Sequence, residues 1–137
     1  MTARPPLRSL TPTDFGGGIA RQGFAYQDHA AVQFCLMLLE TPSLKEVWCE
    51  TYDDIVLIWD VDGKEIAEFV QVKGELLDQL WTVAKLCARV KSPTHPNGEG
   101  TSIFEKSLNR DNCDETTQFR LVTARDVQVG TEVVKAW

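Results

Sequence analysis

The dipeptide Asp62-Gly63 most narrows what this chain can become. Asp-Gly between two alternating apolar runs is a strong hairpin signal, because both central turn positions need positive φ. It divides a predicted strand over 54–60, built on Ile55-Val56-Leu57-Ile58-Trp59, from a second over 65–73. A two-residue turn also sets the register. Val61 then faces Lys64, Trp59 faces Ile66, Leu57 faces Glu68, Ile55 faces Val70 and Asp54 faces Gln71. Opposed residues share a sheet face, and alternation adds Lys73 to the face of Gln71. Asp54 and Lys73 become diagonal neighbours, roughly 7–8 Å apart. Asp53 points the other way, with Val72. The rest of the Asp54 face is apolar, through Val56, Ile58, Ala67 and Phe69, and is expected to pack under the first helix.

The remaining pattern places other elements around this hairpin. Residues 1–17, with Pro5, Pro6 and Pro12, read as an extended arm. Phe24, Gln27, Ala31, Phe34 or Cys35, and Leu38 recur at spacings of three and four. That is one face of a helix over about 19–39, stopped at Thr41-Pro42-Ser43. Residues 44–49 read as a strand. Asp78 can cap a helix running through Trp81, Lys85 and Leu86 to about residue 90. A loop over 91–100, a short helix over 101–109 and a strand over 118–123 follow. The order is α-β-β-β-α, a short helix, then β, in the α/β class. A chain of 137 residues suits one domain with a real core, here residues 18–137 behind the arm.

Composition removes several functions. Fourteen Lys and Arg against 20 Asp and Glu leave a net charge of −6, against simple coating of nucleic acid, which draws its affinity from cations at phosphates. The longest apolar run, Ile55 to Trp59, is far short of the ~18 residues of a membrane span. No apolar stretch of a leader follows Arg4 and Arg8, so a cytoplasmic location without membrane contact is expected. Cys35, Cys49, Cys87 and Cys113 form no CxxC pair and have only His29 and His95 to complete a zinc site, so reduced, mostly buried thiols are expected. His95 sits in the turn-rich run from Ser92 to Gly98 and His29 on the helix beside Asp28, neither a setting for a Ser/His/Asp triad. Gly16-Gly17-Gly18 follows no strand, which is not the context of a dinucleotide loop. Trp48, Trp59 and Trp81 are expected in the core, Lys85, Arg89 and Lys91 as a basic helix face, and Glu105 and Lys106 in solvent.

Taken alone, Asp54 and Lys73 are a surface ion pair, worth about 0–1 kcal/mol. An acid opening the second strand, followed by Gln71-Val72-Lys73 on the third, nevertheless resembles the D…(E/Q)xK signature of PD-(D/E)XK nucleases. The run from Gly17 to Gln27 (GGIARQGFAYQ) strengthens the resemblance. Together with Asp53-Asp54-Ile55 and Val70-Gln71-Val72-Lys73, it is similar to the endonuclease domain of bacterial antiphage effectors. These include CD-NTase-associated double-strand DNA endonucleases and the nuclease partners of HerA-type ATPases. The resemblance covers roughly residues 16–124 and implies a restriction-endonuclease-like core, α-β-β-β-α-β, with a central mixed sheet flanked by helices.

The resemblance also implies roles. Asp54 and Gln71 would hold Mg²⁺ or Mn²⁺, a hard cation suited to oxygen ligands. Lys73 would orient or activate the attacking water and stabilise charge on the phosphate. Gln27 matches a first-helix Glu of some relatives; a hydrogen bond to buried backbone explains it equally. With Gln at both 27 and 71, Asp54 is the only anion on the matched positions, which weakens metal binding. Glu50 shares parity with Asp54 and adds charge if the chain stays extended through Thr51 and Tyr52. The implied activity is metal-dependent hydrolysis of double-stranded DNA in antiphage defence by a homo-oligomer, with a HerA-type ATPase or a nucleotide-sensing domain as partner. A silent docking domain of the same fold is the alternative. Val133-Val134 and Trp137 read as material for a further element, so a longer chain is expected.

Overall fold

The hairpin turn forms as its residues require, with Asp62 at φ 54° and Gly63 at φ 76°. In the computed structural model, which describes residues 4–10, 21–73 and 81–123, this turn joins β2 (Ile55–Val61) to β3 (Lys64–Lys73). The pairs run from Val61–Lys64 through Trp59–Ile66 and Leu57–Glu68 to Ile55–Val70, the register expected. β1 (Leu44–Cys49) pairs antiparallel with β2, and β4 (Thr116–Thr123) lies parallel to β3. The sheet is mixed, in the order β1-β2-β3-β4. The α/β order of a restriction-endonuclease-like core is therefore present.

Both sheet faces are covered, which is why Ile55, Val56, Leu57 and Ile58 are all buried. α1 (Arg21–Glu40) lays Ala30 and Phe34 on the face made by Ile55, Leu57, Val70 and Val72. Val56, Ile58, Ala67 and Phe69 pack instead against Leu7 and Cys113. The expectation that α1 covers this second face is corrected. An unbroken apolar run on β2 offers two equally buried faces, and alternation does not say which one the helix takes. The arm is not simply extended either. Leu7–Ser9 forms a 3₁₀ turn, and Leu7 is 1% exposed. The Leu7 amide donates to both carboxylate oxygens of Glu115, at 3.1 and 3.0 Å, and Arg8 pairs with Glu46 and Glu65.

The second helix is one turn, α2 (Val83–Leu86), capped by the Thr82 hydroxyl on the Lys85 amide at 3.2 Å. The predicted cap, Asp78, lies outside the described residues, as do residues 11–20 and the tail from 124. The chain leaves the helix because the Val90 amide turns to the Thr101 hydroxyl at 2.8 Å. Lys85, Arg89 and Lys91 thus form no helical face, and Arg89 pairs with Glu105. Glu105 is not idle in solvent: it closes a capping box with Ser102 at the start of α3 (Ile103–Leu108). The bond from Arg89, then that from Ser102, holds its carboxyl down at about 2. Trp81 is buried, while Trp48 and Trp59 flank the two cores. All four thiols are free, but only Cys113 is buried, which corrects the expectation for the other three. Among the described residues no helix is long and apolar enough to cross a membrane.

Candidate active site at the open end of the hairpin

The turn between β1 and β2 builds one wall of the site. Cys49–Ile55 is the last β1–β2 pair, and the Glu50 amide donates to the Asp54 carbonyl at 3.0 Å. Glu50 has φ 53°, the left-handed region that costs a non-glycine residue of order 1 kcal/mol. The chain therefore bends at Glu50 rather than staying extended through Thr51 and Tyr52. Gln27, half-buried on α1, donates its side-chain amide to the Glu50 carboxylate. The structure thus joins Gln27 to Glu50.

Asp54 reaches β3 through its side chain. Its Oδ2 accepts from the Val72 amide at 2.7 Å, and Val72 stands between Gln71 and Lys73 in the chain. The carboxylate is therefore docked on the centre of the QxK segment. β3 is flanked by β2 and β4, and Gln71, Val72 and Lys73 face Leu121, Val122 and Thr123. Alternation assigns Gln71 and Lys73 to the Phe69 face, away from α1. Gln71 is 7% exposed, and its Oε1 is buried without a hydrogen-bond partner among the described residues. Lys73 is half-buried at the strand end. Trp81 closes this end by donating to the hydroxyl of Thr123, the ladder partner of Lys73, at 2.8 Å.

Asp53 is the residue that sequence reasoning set aside. It is 8% exposed, and one oxygen, Oδ1, accepts from the Asp54 amide at 3.0 Å. The other, Oδ2, is buried and without a hydrogen bond. Burial pushes its carboxyl up to about 6, with the Asp54 charge adding to the rise; the Asp54 N–H, Arg110 and Lys73 pull the other way. Asp53 thus feels Lys73, although alternation had turned it from that face. Alternation holds only inside a ladder, and the β2–β3 ladder ends at Ile55–Val70. The signal available in the sequence was the Asp-Asp pair itself.

Among the described residues no three His, Cys, Asp or Glu side chains converge on one point. The donors at the hairpin end are instead two neighbouring carboxylates and an amide oxygen. This set fits Mg²⁺ or Mn²⁺, because Mg²⁺ takes hard oxygens, needs only one or two carboxylates, and keeps waters and substrate phosphate for the rest.

The family described as "Cap4, dsDNA endonuclease domain" matches residues 15–135. "Anti-bacteriophage protein A" of Escherichia coli (strain K12) is 30% identical over 99 residues, 72% of this chain. The chain spans only 18% of that relative's length. No solved structure matches significantly.

Proposed function

This chain belongs to the Cap4 dsDNA endonuclease domain family, and on that premise we propose that it hydrolyses phosphodiester bonds of double-stranded DNA, with Mg²⁺ or Mn²⁺, in defence against phage. The observation that carries the reading is the Asp54 carboxylate docked on the Val72 amide, between Gln71 and Lys73. It supports one site made of an acid, an amide oxygen and an ammonium. Asp54 and Gln71 would hold the metal, which when bound would offset phosphate charge and lower the pKa of water. Lys73 orients the attacking water and stabilises charge gathering on the phosphate oxygens. Gln27 acts at one remove, by holding Glu50 and with it the turn that presents Asp54. The defence role draws on the likeness to the anti-bacteriophage protein A of E. coli. A double-strand break needs two such sites on opposite strands, so the working form is an oligomer. The ATPase or nucleotide-sensing partner belongs to this same proposal.

The test is plasmid cleavage with EDTA, Mg²⁺ and Mn²⁺. Asp54→Asn keeps an acceptor for the Val72 amide but removes the charge, so it should fold and lose cleavage. Lys73→Ala and Lys73→Arg should also lose it, because the guanidinium is a broad planar fork rather than a compact ammonium. Native-rate cleavage by Asp54→Asn sinks the metal-site assignment. An active Lys73→Arg protein would remove the catalytic role of Lys73 and favour the silent docking domain.

A further inference from the structure

We propose that Asp53 is a second acidic ligand of the metal site, using Oδ2 beside the oxygen of Gln71; this rests on the nuclease reading above. Two buried oxygens beside the hairpin end are orphaned. Asp53 Oδ2 and Gln71 Oε1 are both buried and both lack a hydrogen-bond partner among the described residues. With Asp53 ionised, each is an acceptor only. They cannot satisfy one another, and an unmet buried acceptor costs about 1–3 kcal/mol, more when charged. Arg110 and Lys73 act on Asp53 electrostatically, yet no group among the described residues donates a hydrogen bond to either oxygen, and a bound cation would compensate both.

The surrounding bonds keep Asp53 from escaping to water. Its Oδ1 is held by the Asp54 amide, the Asp54 carboxylate is held by Val72, and the Asp54 carbonyl is held by Glu50. The bond to Val72 ties the turn to β3, and the other two brace the turn internally. Each aspartate spends one oxygen on a backbone N–H and keeps the other. Asp54 thus supplies Oδ1 and Asp53 supplies Oδ2. A second carboxylate also answers the charge shortage left by Gln at 27 and 71. With Asp53 the site has two anions, the number Mg²⁺ sites commonly use beside water and phosphate.

The test reads metal binding, not only activity. Mn²⁺ is titrated calorimetrically into the whole chain, into Asp53→Asn, which keeps an acceptor for the Asp54 amide, and into Asp53→Ala, which removes both oxygens. Thermal midpoints are taken in EDTA and in Mn²⁺. Both Asp53 variants should bind Mn²⁺ at least about tenfold more weakly, since even supporting residues cost that much. Asp53→Asn should also melt no lower than the parent in EDTA, because it removes an uncompensated buried charge. Whichever variant folds, unchanged Mn²⁺ affinity overturns the proposal. Asp54→Asn serves as the control. If it loses Mn²⁺ while the Asp53 variants keep it, Asp53 alone is excluded and the nuclease reading stands. If the parent chain binds no Mn²⁺, both readings fall together.

Discussion

Glu68 faces Leu57 across the hairpin and is 4% exposed, an unusual place for a carboxylate. It is kept there by two donors: Arg120 Nε at 2.6 Å and Trp59 Nε1 at 2.8 Å. Arg120 comes from β4 and also lies over the Phe34 ring of α1, 5.7 Å from its centroid. One ion pair thus ties the helix, the hairpin and the parallel strand. Removing one partner leaves a buried charge alone, so Arg120→Ala should cost about 3–5 kcal/mol. Glu68→Leu with Arg120→Met should cost much less, because no charge is stranded. Urea unfolding of both variants checks this; a loss under about 1 kcal/mol for Arg120→Ala would show the pair to be well hydrated.

At the scale of elements, no α-helix among the described residues contributes to the second core. Leu7 from the arm and Cys113 from the segment before β4 fill it, and Tyr52 donates to the Leu10 carbonyl to hold the arm beside them. Burial of one leucine is therefore a structural joint. Leu7→Ala should destabilise by about 2–5 kcal/mol, the range for a well-packed core leucine. Leu36→Ala on the outer side of α1, where Leu36 is 57% exposed, should stay within about 0.5 kcal/mol. Thermal or chemical unfolding compares the two. Equal losses would mean that the arm is not a packed part of the fold.

For the whole molecule the deciding number is the net charge of −6. DNA affinity comes mainly from cations at phosphates. The exposed arginines Arg4, Arg8 and Arg89 are each paired with a carboxylate. On the proposed nuclease reading, bound metal would add positive potential at the DNA to that of exposed lysines such as Lys45, Lys64, Lys91 and Lys106. Fluorescence anisotropy with a short duplex, at fixed ionic strength, should show roughly tenfold or greater tightening when Ca²⁺ replaces EDTA, Ca²⁺ being another hard, oxygen-seeking cation. Equally tight binding in EDTA would show that the protein carries its own phosphate-binding surface.

Local chemistry was enough to write the hairpin in advance. Asp62-Gly63 admits the positive φ values of one turn type, and a two-residue loop leaves one register that buries Ile55 and Val70 together. The spacing of Phe34 and Leu38 likewise marked α1, and the acid, amide and lysine of the candidate site were visible as Asp54 and Gln71-Val72-Lys73. Three things depended on distant parts of the chain. The cover of the Val56 and Phe69 face came from Leu7 and Cys113, since two apolar faces of one sheet look alike in sequence. The early end of α2 came from Thr101, which captures the Val90 amide. The setting of Asp53 came from the bend at Glu50 and the clasp on Val72. Side-chain alternation is a property of paired strands, and it ends where the pairing ends, one residue short of Asp54.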